Sequence, residues 1–207
     1  EKSLSRYHYE TGELVDIARA MTTERDVNKL LGVILEKSRV VTGADAGSIY
    51  VVEQPEEALG VDEAPRSLRG PMLRFKLSQN DSVVFDSREF VIPVSARSMS
   101  GYVALHKQPL NIPSVYELPA HAPYGFDRRF DEKIGYRTKS ILTVPLVSQR
   151  DEVIGVIQLI NKKKDPEKKL FSKEDIEEQV VSFDERSEEL LGMVAAQAGV
   201  SLENTML

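Results

Sequence analysis

Two apolar runs constrain this chain more than any other feature. Residues Ser140 to Ser148 (SILTVPLVS) and Val153 to Asn161 (VIGVIQLIN) carry no charge, are rich in β-branched side chains, and are separated only by the polar turn Gln149-Arg150-Asp151-Glu152. So short a connection joins antiparallel neighbours, and the two runs therefore form a hairpin. Near-continuous apolarity, in place of strict alternation, requires cover on both faces and puts both strands at the centre of a sheet. Pro145 has no N–H to give to a ladder, so it marks a strand end, a bulge or an unpaired flank.

The cover for one face is written in helical periods. Leu14, Ile17, Ala18 and Met21 predict a helix over Glu13 to Met21. After the cap-favouring stretch Thr22 to Asp26, the stripe Val27, Leu30, Leu31, Ile34, Leu35 predicts a second helix over Asp26 to Val41, with Gly43 as its stop. Asp184 to Leu207 predicts a long final helix with Leu190, Leu191, Val194, Ala195, Ala198 and Leu202 on one side.

Between these helices lie shorter extended pieces. Ala46 to Glu53 reads as a strand, Leu73, Phe75 and Leu77 alternate, and Val83, Phe85, Phe90, Ile92 and Val94 continue in strand-like pieces. Ser98 to His106 predicts a short helix and Leu110 to Pro113 a brief extended segment. Residues 54 to 70 read as a solvated connection that is an insertion or a lid, 114 to 137 as loop plus short helix, and the Lys/Glu-rich 162 to 182 as a solvated connection. The fold class is α+β, with the helices grouped on one side of an antiparallel sheet.

Composition removes several functions. A net charge of -6 gives no broad positive field for nucleic acid or an anionic membrane surface. The chain has no cysteine, which excludes disulfides, thiolate zinc sites, thiol nucleophiles and thioether-linked pigments, and fits a reducing cytoplasmic setting. No apolar run approaches the roughly 20 residues of a membrane-spanning helix. Glu1-Lys2-Ser3 opens no signal peptide, and the missing initiator Met points to a piece of a longer chain. His8, His106 and His121 share no metal-ligand spacing, and neither a nucleophile elbow nor a glycine-rich phosphate loop occurs, so catalysis within these residues is not expected.

Four pieces of the chain together resemble a GAF domain, the small-molecule sensor module of cyclic-nucleotide phosphodiesterases, adenylyl cyclases and bacterial signalling proteins. They are Leu30 to Val52, in which TGADA leads into GSIYVV; Gln108 to Pro113; Phe130-Asp131 through GYRTKSIL, Pro145 and VIGVIQLINK; and the exit helix with AAQA and LEN. The third piece resembles the phosphodiesterase and cyclase branch. The resemblance implies residues 1–25 as an N-terminal linker helix and 26–207 as the domain, with 184–207 leading to a covalently linked output domain.

It also implies a sheet of about six strands with the terminal helices packed on one face, a ligand pocket under loops on the other, and site residues. In nucleotide-binding relatives the positions corresponding to Ser48, Ile112, Asp131, Ile134, Thr138 and Gln158 surround the ligand. Ile134 stands where those relatives have a threonine, and Ser114 follows Asn-Ile-Pro where they have an acid. Asn161, Lys162, Phe183 and Glu188 correspond to a structural signature in which the lysine is salt-bridged to an acid, here Glu188 or Asp184. Phe126, Phe130 and Tyr136 either stack on a base or plug their loop into the core, the second being the commoner role of loop aromatics. The expectation is therefore a regulatory domain that binds a cyclic nucleotide or related small ligand, calls for no other cofactor, and relays the signal as a homodimer through its terminal helices. The alternative is a ligand-free dimerisation and relay module whose pocket is filled by side chains such as Ile134.

Overall fold

The apolar hairpin forms as its composition requires. In the computed structural model, which describes residues 2–54 and 70–206, β5 (Ile141–Val147) and β6 (Val153–Lys163) pair antiparallel, with Leu142 opposite Leu159 and Val144 opposite Ile157. β1 (Ala44–Glu53) takes the other flank of β6, β2 (Met72–Asn80) pairs with β1, β3 (Phe90–Pro93) with β2, and β4 (Leu110–Ile112) with β5. The order is β3-β2-β1-β6-β5-β4, and a two-residue β7 (Val180–Val181) pairs with the end of β6. Pro145 is tolerated because the β4 ladder ends at the Leu110 to Thr143 rung, short of the proline.

Three helices cover one face: α1 (Lys2–Thr23), α2 (Val27–Thr42) and α6 (Glu185–Met206). The side chain of Asp26 accepts from the Lys29 N–H at 2.9 Å to start α2, and Gly43 ends it at φ 75°, a left-handed conformation that suits glycine. Ile17 and Met21, then Leu30, Leu31, Ile34 and Leu35, then Leu191, Val194, Ala198 and Leu202 close over Ile49, Leu142, Leu146, Ile157 and Leu159. Each such burial stabilises by roughly 1.5–3 kcal/mol, so this face is the main core. Among the described residues no helix is long and apolar enough to cross a membrane.

Strand alternation sends Tyr50 and Val156 to the opposite face, where they meet Leu73, Phe75 and Val103 of α3 (Met99–His106). A register shift at Ile49/Tyr50 brings Phe75 opposite Tyr50, so that both aromatics share this side. The face is roofed further by a 3-10 turn at Val115–Glu117, by α4 (Arg129–Ile134) and by α5 (Lys173–Gln179).

Three expectations from sequence are corrected. Val83 and Phe85 lie outside any strand, because the chain turns away after Asn80, whose Oδ1 accepts from the N–H groups of Ser82 and Val83. The first helix is much longer than Glu13 to Met21. Residues 162–182 are not a solvated connection: β6 continues to Lys163, α5 and β7 follow, and Leu170, Ile176 and Val180 bury against Ala46 and Tyr136. The connection read over 54 to 70 falls on 55–69, outside the described residues, as does Leu207.

Candidate functional site

The face opposite the long helices encloses a cavity of about 350 Å³, at the small end of the range for small-molecule sites. Ser48 on β1 and Gln158 on β6 are cross-strand partners, and their side chains form part of its floor. Tyr50, Phe75 and Phe90 make an apolar wall, the last two stacked at 4.7 Å between ring centres. The start of α3 and the segment from Gly125 to Asp131 form the roof. The Ser98 hydroxyl accepts from the Gly101 N–H at 3.0 Å and orients the first turn of α3. Gly101 is needed there, since a Cβ would be driven into the backbone of Ser95.

Of the six ligand positions implied by resemblance, Ser48, Asp131, Thr138 and Gln158 line this cavity. They divide into two kinds. Asp131 is buried and spent on the protein: its carboxylate accepts from the Thr138 N–H at 2.7 Å and from Thr138 Oγ1 at 2.8 Å, locking α4 to the strand that follows. Ser48 and Gln158 are half-buried, and neither side chain has a hydrogen-bond partner among the described residues. The other two positions lie elsewhere. Ile112 is buried against Met99, Val115 and Ile141 under the sheet edge. Ile134 packs on the Tyr136, Leu170 and Ile176 cluster, because the six-residue α4 turns its last side chain away from the cavity.

The signature residues also part company with expectation. Lys162 makes no contact ion pair with Glu188 or Asp184, although its charge, after the Ser187 hydrogen bonds, helps to hold the Asp184 carboxyl below its ordinary range. Its Nζ donates to the Thr42 carbonyl at 2.6 Å, at the negative end of α2. Glu188 instead accepts from Asn111 Nδ2 at 2.7 Å, and Asp184 accepts from the N–H of Ser187 at 2.8 Å at the start of α6. Phe183 is buried in the main core. Asn161 is fully buried at φ 60°, where asparagine is among the few side chains tolerated; its Oδ1 takes the Lys139 N–H at 2.7 Å and its Nδ2 donates to Tyr136 Oη at 2.9 Å.

The buried ion pair is made by the next lysine. Lys163 Nζ is 2.8 Å from Asp45 Oδ1, both side chains being almost without solvent contact. Asp45 also accepts from Tyr136 Oη at 2.7 Å and from Ser82 Oγ, which in turn accepts from the Leu170 N–H at 2.7 Å. Burial, and then the Asp45 charge, push the Tyr136 phenol well above its ordinary range. This network ties the loops after β2, α4 and β6 to the start of β1. Tyr136 is thus a plug, whereas Phe126 and Phe130 face the cavity. Sequence reading missed Tyr50, Phe75 and Phe90; the alternation from Ser48 to Tyr50 along β1 was the signal available for the first.

Two aspartates, Asp127 just before α4 and Asp131 within it, are displaced in opposite directions. Burial raises the Asp131 carboxyl above its ordinary range, against the lowering effect of the Thr138 hydrogen bonds and the Arg137 charge. A native pKa above the unfolded value means that its contribution to stability is full below about pH 4 and is lost as pH rises through the raised value. Hydrogen bonds from the Arg129 side chain and then its backbone lower exposed Asp127 to about 2, so its contribution is present above about pH 4 and is lost as pH falls toward that value. Carboxyl ¹³C titration should give Asp131 the higher midpoint and Asp127 one near 2; the reverse order would overturn both assignments.

Residues 26–202 match the family described as GAF domain. The chain is 26% identical over 204 residues to a dual 3',5'-cyclic-AMP and -GMP phosphodiesterase 11A of Takifugu rubripes, covering 97% of this chain and 19% of that protein. It is 27% identical over 201 residues to a cGMP-specific 3',5'-cyclic phosphodiesterase of Drosophila ananassae, covering 95% of this chain and 15% of the relative. The chain thus spans less than a fifth of the length of these curated relatives. Among solved structures it resembles the GAF domain from an Acinetobacter phosphoenolpyruvate-protein phosphotransferase, with a TM-score of 0.62 at 16% identity, covering 96% of this chain and 95% of that one.

Proposed function

The chain belongs to the GAF domain family, and from that premise we propose that it binds a cyclic nucleotide or related small ligand in the Ser48/Gln158 cavity and relays occupancy through its terminal helices. A family of regulatory and sensory modules supplies the general role; the particular ligand is inferred from the cavity and from the relatives, whose names are those of cyclic-nucleotide phosphodiesterases.

One observation carries the reading. Ser48 and Gln158 hold hydrogen-bonding groups on a half-buried floor that no described protein group uses, so a ligand entering the cavity can take them in place of water. The edge of a purine matches an amide beside a hydroxyl, and Phe126 and Phe130 offer it ring surfaces. The positive end of α3 lies under the same roof and favours a phosphate. Ligand contact with Gly125 to Asp131 would order the roof, and strands β1 and β6 carry the change to α2 and α6 by a shift of population no larger than the ligand's differential affinity. In this reading the exit helices join those of a second copy and lead to an output domain. The ligand-free alternative loses its particular support, since Ile134 does not fill the cavity.

Thermal unfolding tests the proposal. At a hundred times its dissociation constant a ligand adds about 2.7 kcal/mol, which for a chain of this size raises Tm by about 5–10 °C. Cyclic AMP, cyclic GMP and cyclic di-GMP should be tried in parallel. Ser48→Ala and Gln158→Ala should each weaken the ligand that binds by roughly three- to tenfold while leaving the unliganded Tm unchanged. Absence of a shift with all three nucleotides would sink the cyclic-nucleotide reading, and unaltered affinity in both variants would place the ligand elsewhere.

A further inference from the structure

A second cleft, also of about 350 Å³, opens on the other side of α4 and has no part in the reading above. Its walls bring together three cations from three parts of the chain, Arg128, Arg137 and Lys173. The two guanidiniums lie over the Tyr116 ring, at 4.9 Å for Arg128 and 4.2 Å for Arg137, which fixes both in place. Arg137 Nε is buried yet donates to nothing. An arginine N–H removed from water without an acceptor is costly, and a bidentate anion is the group that matches a guanidinium fork.

The nearby acids offset the cationic lining only in part. Two acids, Asp131 and Glu132, face the three cations; the Asp131 carboxylate feels the Arg137 charge but also accepts from the Thr138 N–H and Oγ1, and Glu132 stands on the exposed rim, so the lining keeps one cation in excess. Phe171 stands at the same rim with 72% of its surface exposed, an apolar ledge beside a cationic cleft. We propose that this cleft is a second binding site, for a small organic phosphate whose anionic group meets Arg137, Arg128 and Lys173 and whose body lies on Phe171. Because α4 contributes Phe130 to the inner cavity, Glu132 to this one and Asp131 to both, the two sites share a wall, but neither requires the other to be filled.

The test is an amide NMR titration of the chain with phenyl phosphate, with inorganic phosphate, and with chloride at matched ionic strength. Saturable shifts should concentrate on Tyr116, Arg137 and residues 171–173, with phenyl phosphate tighter than inorganic phosphate. Arg137→Gln should weaken phenyl phosphate roughly ten- to a hundredfold, and Lys173→Gln, at an exposed position that bears no packing, by a smaller factor. If Arg137→Gln lowers Tm, Lys173→Gln decides the question alone. Shifts that follow chloride, that fail to saturate, or that persist with equal affinity in Lys173→Gln would overturn the site. Equal affinity for the two phosphates would remove Phe171 from it. None of these outcomes depends on whether a cyclic nucleotide binds the inner cavity.

Discussion

Lys163→Met is expected to lower the unfolding free energy by about 3–5 kcal/mol, because it leaves the Asp45 carboxylate buried without its cation. At roughly 2–4 °C per kcal/mol for a chain of this size, Tm should fall by about 6–20 °C. The loss reaches beyond one pair. Asp45 also receives Tyr136 and Ser82, and Lys163 donates to the Lys168 carbonyl at 2.8 Å, so the loops that frame the cavity loosen together. Pairing Asp45→Asn with Lys163→Met removes both charges and should cost clearly less than the sum of the single losses. Calorimetry on the three variants measures the coupling; a loss under about 1 kcal/mol for Lys163→Met would mean that water, not Asp45, is the partner of that ammonium.

The second large effect is steric. Gly199 lies where α6 crosses the end of β5, and a Cβ there would be driven into the backbone of Val147. Neither backbone can yield without moving the helix, and overpacking of this kind costs about 1–3 kcal/mol or more. Gly199→Ala should therefore destabilise by about 3 kcal/mol, while Gly192→Ala in the same helix, facing open space, should stabilise by about 0.5–1 kcal/mol through helix propensity. Denaturant unfolding of the two variants separates packing from propensity. Equal effects would show that α6 is free to shift on the sheet, which would also weaken the case for it as a rigid relay.

What could be read from the chain itself was local. The apolar hairpin, the cap-favouring stretch that ends at Asp26 and the Gly43 stop all depend on neighbours a few residues away, and period and capping chemistry are short-range properties. The candidate site was legible only where family resemblance placed it, at Ser48 and Gln158 on the cavity floor and at Asp131 and Thr138 under the roof. Long-range pairing was not. Two adjacent lysines look alike in sequence, yet Lys162 reaches the end of α2 and Lys163 reaches Asp45, because successive residues of β6 leave the strand in opposite directions. The run of charges around them read as a solvated linker for the same reason: nothing within it tells that Leu170, Ile176 and Val180 will fold back onto Ala46.

The sequence alone determined that the chain is an α+β domain with a central apolar hairpin, covered by its terminal helices and lacking any thiol chemistry. Only the tertiary structure decided which polar groups are used up and which are left free. Asp131 and Thr138 satisfy each other, whereas among the described residues the side chains of Ser48 and Gln158 and the Arg137 Nε have no hydrogen-bond partner, and the two proposed sites are built on that difference. It rests on hydrogen bonds closed between residues far apart along the chain, which no local pattern encodes.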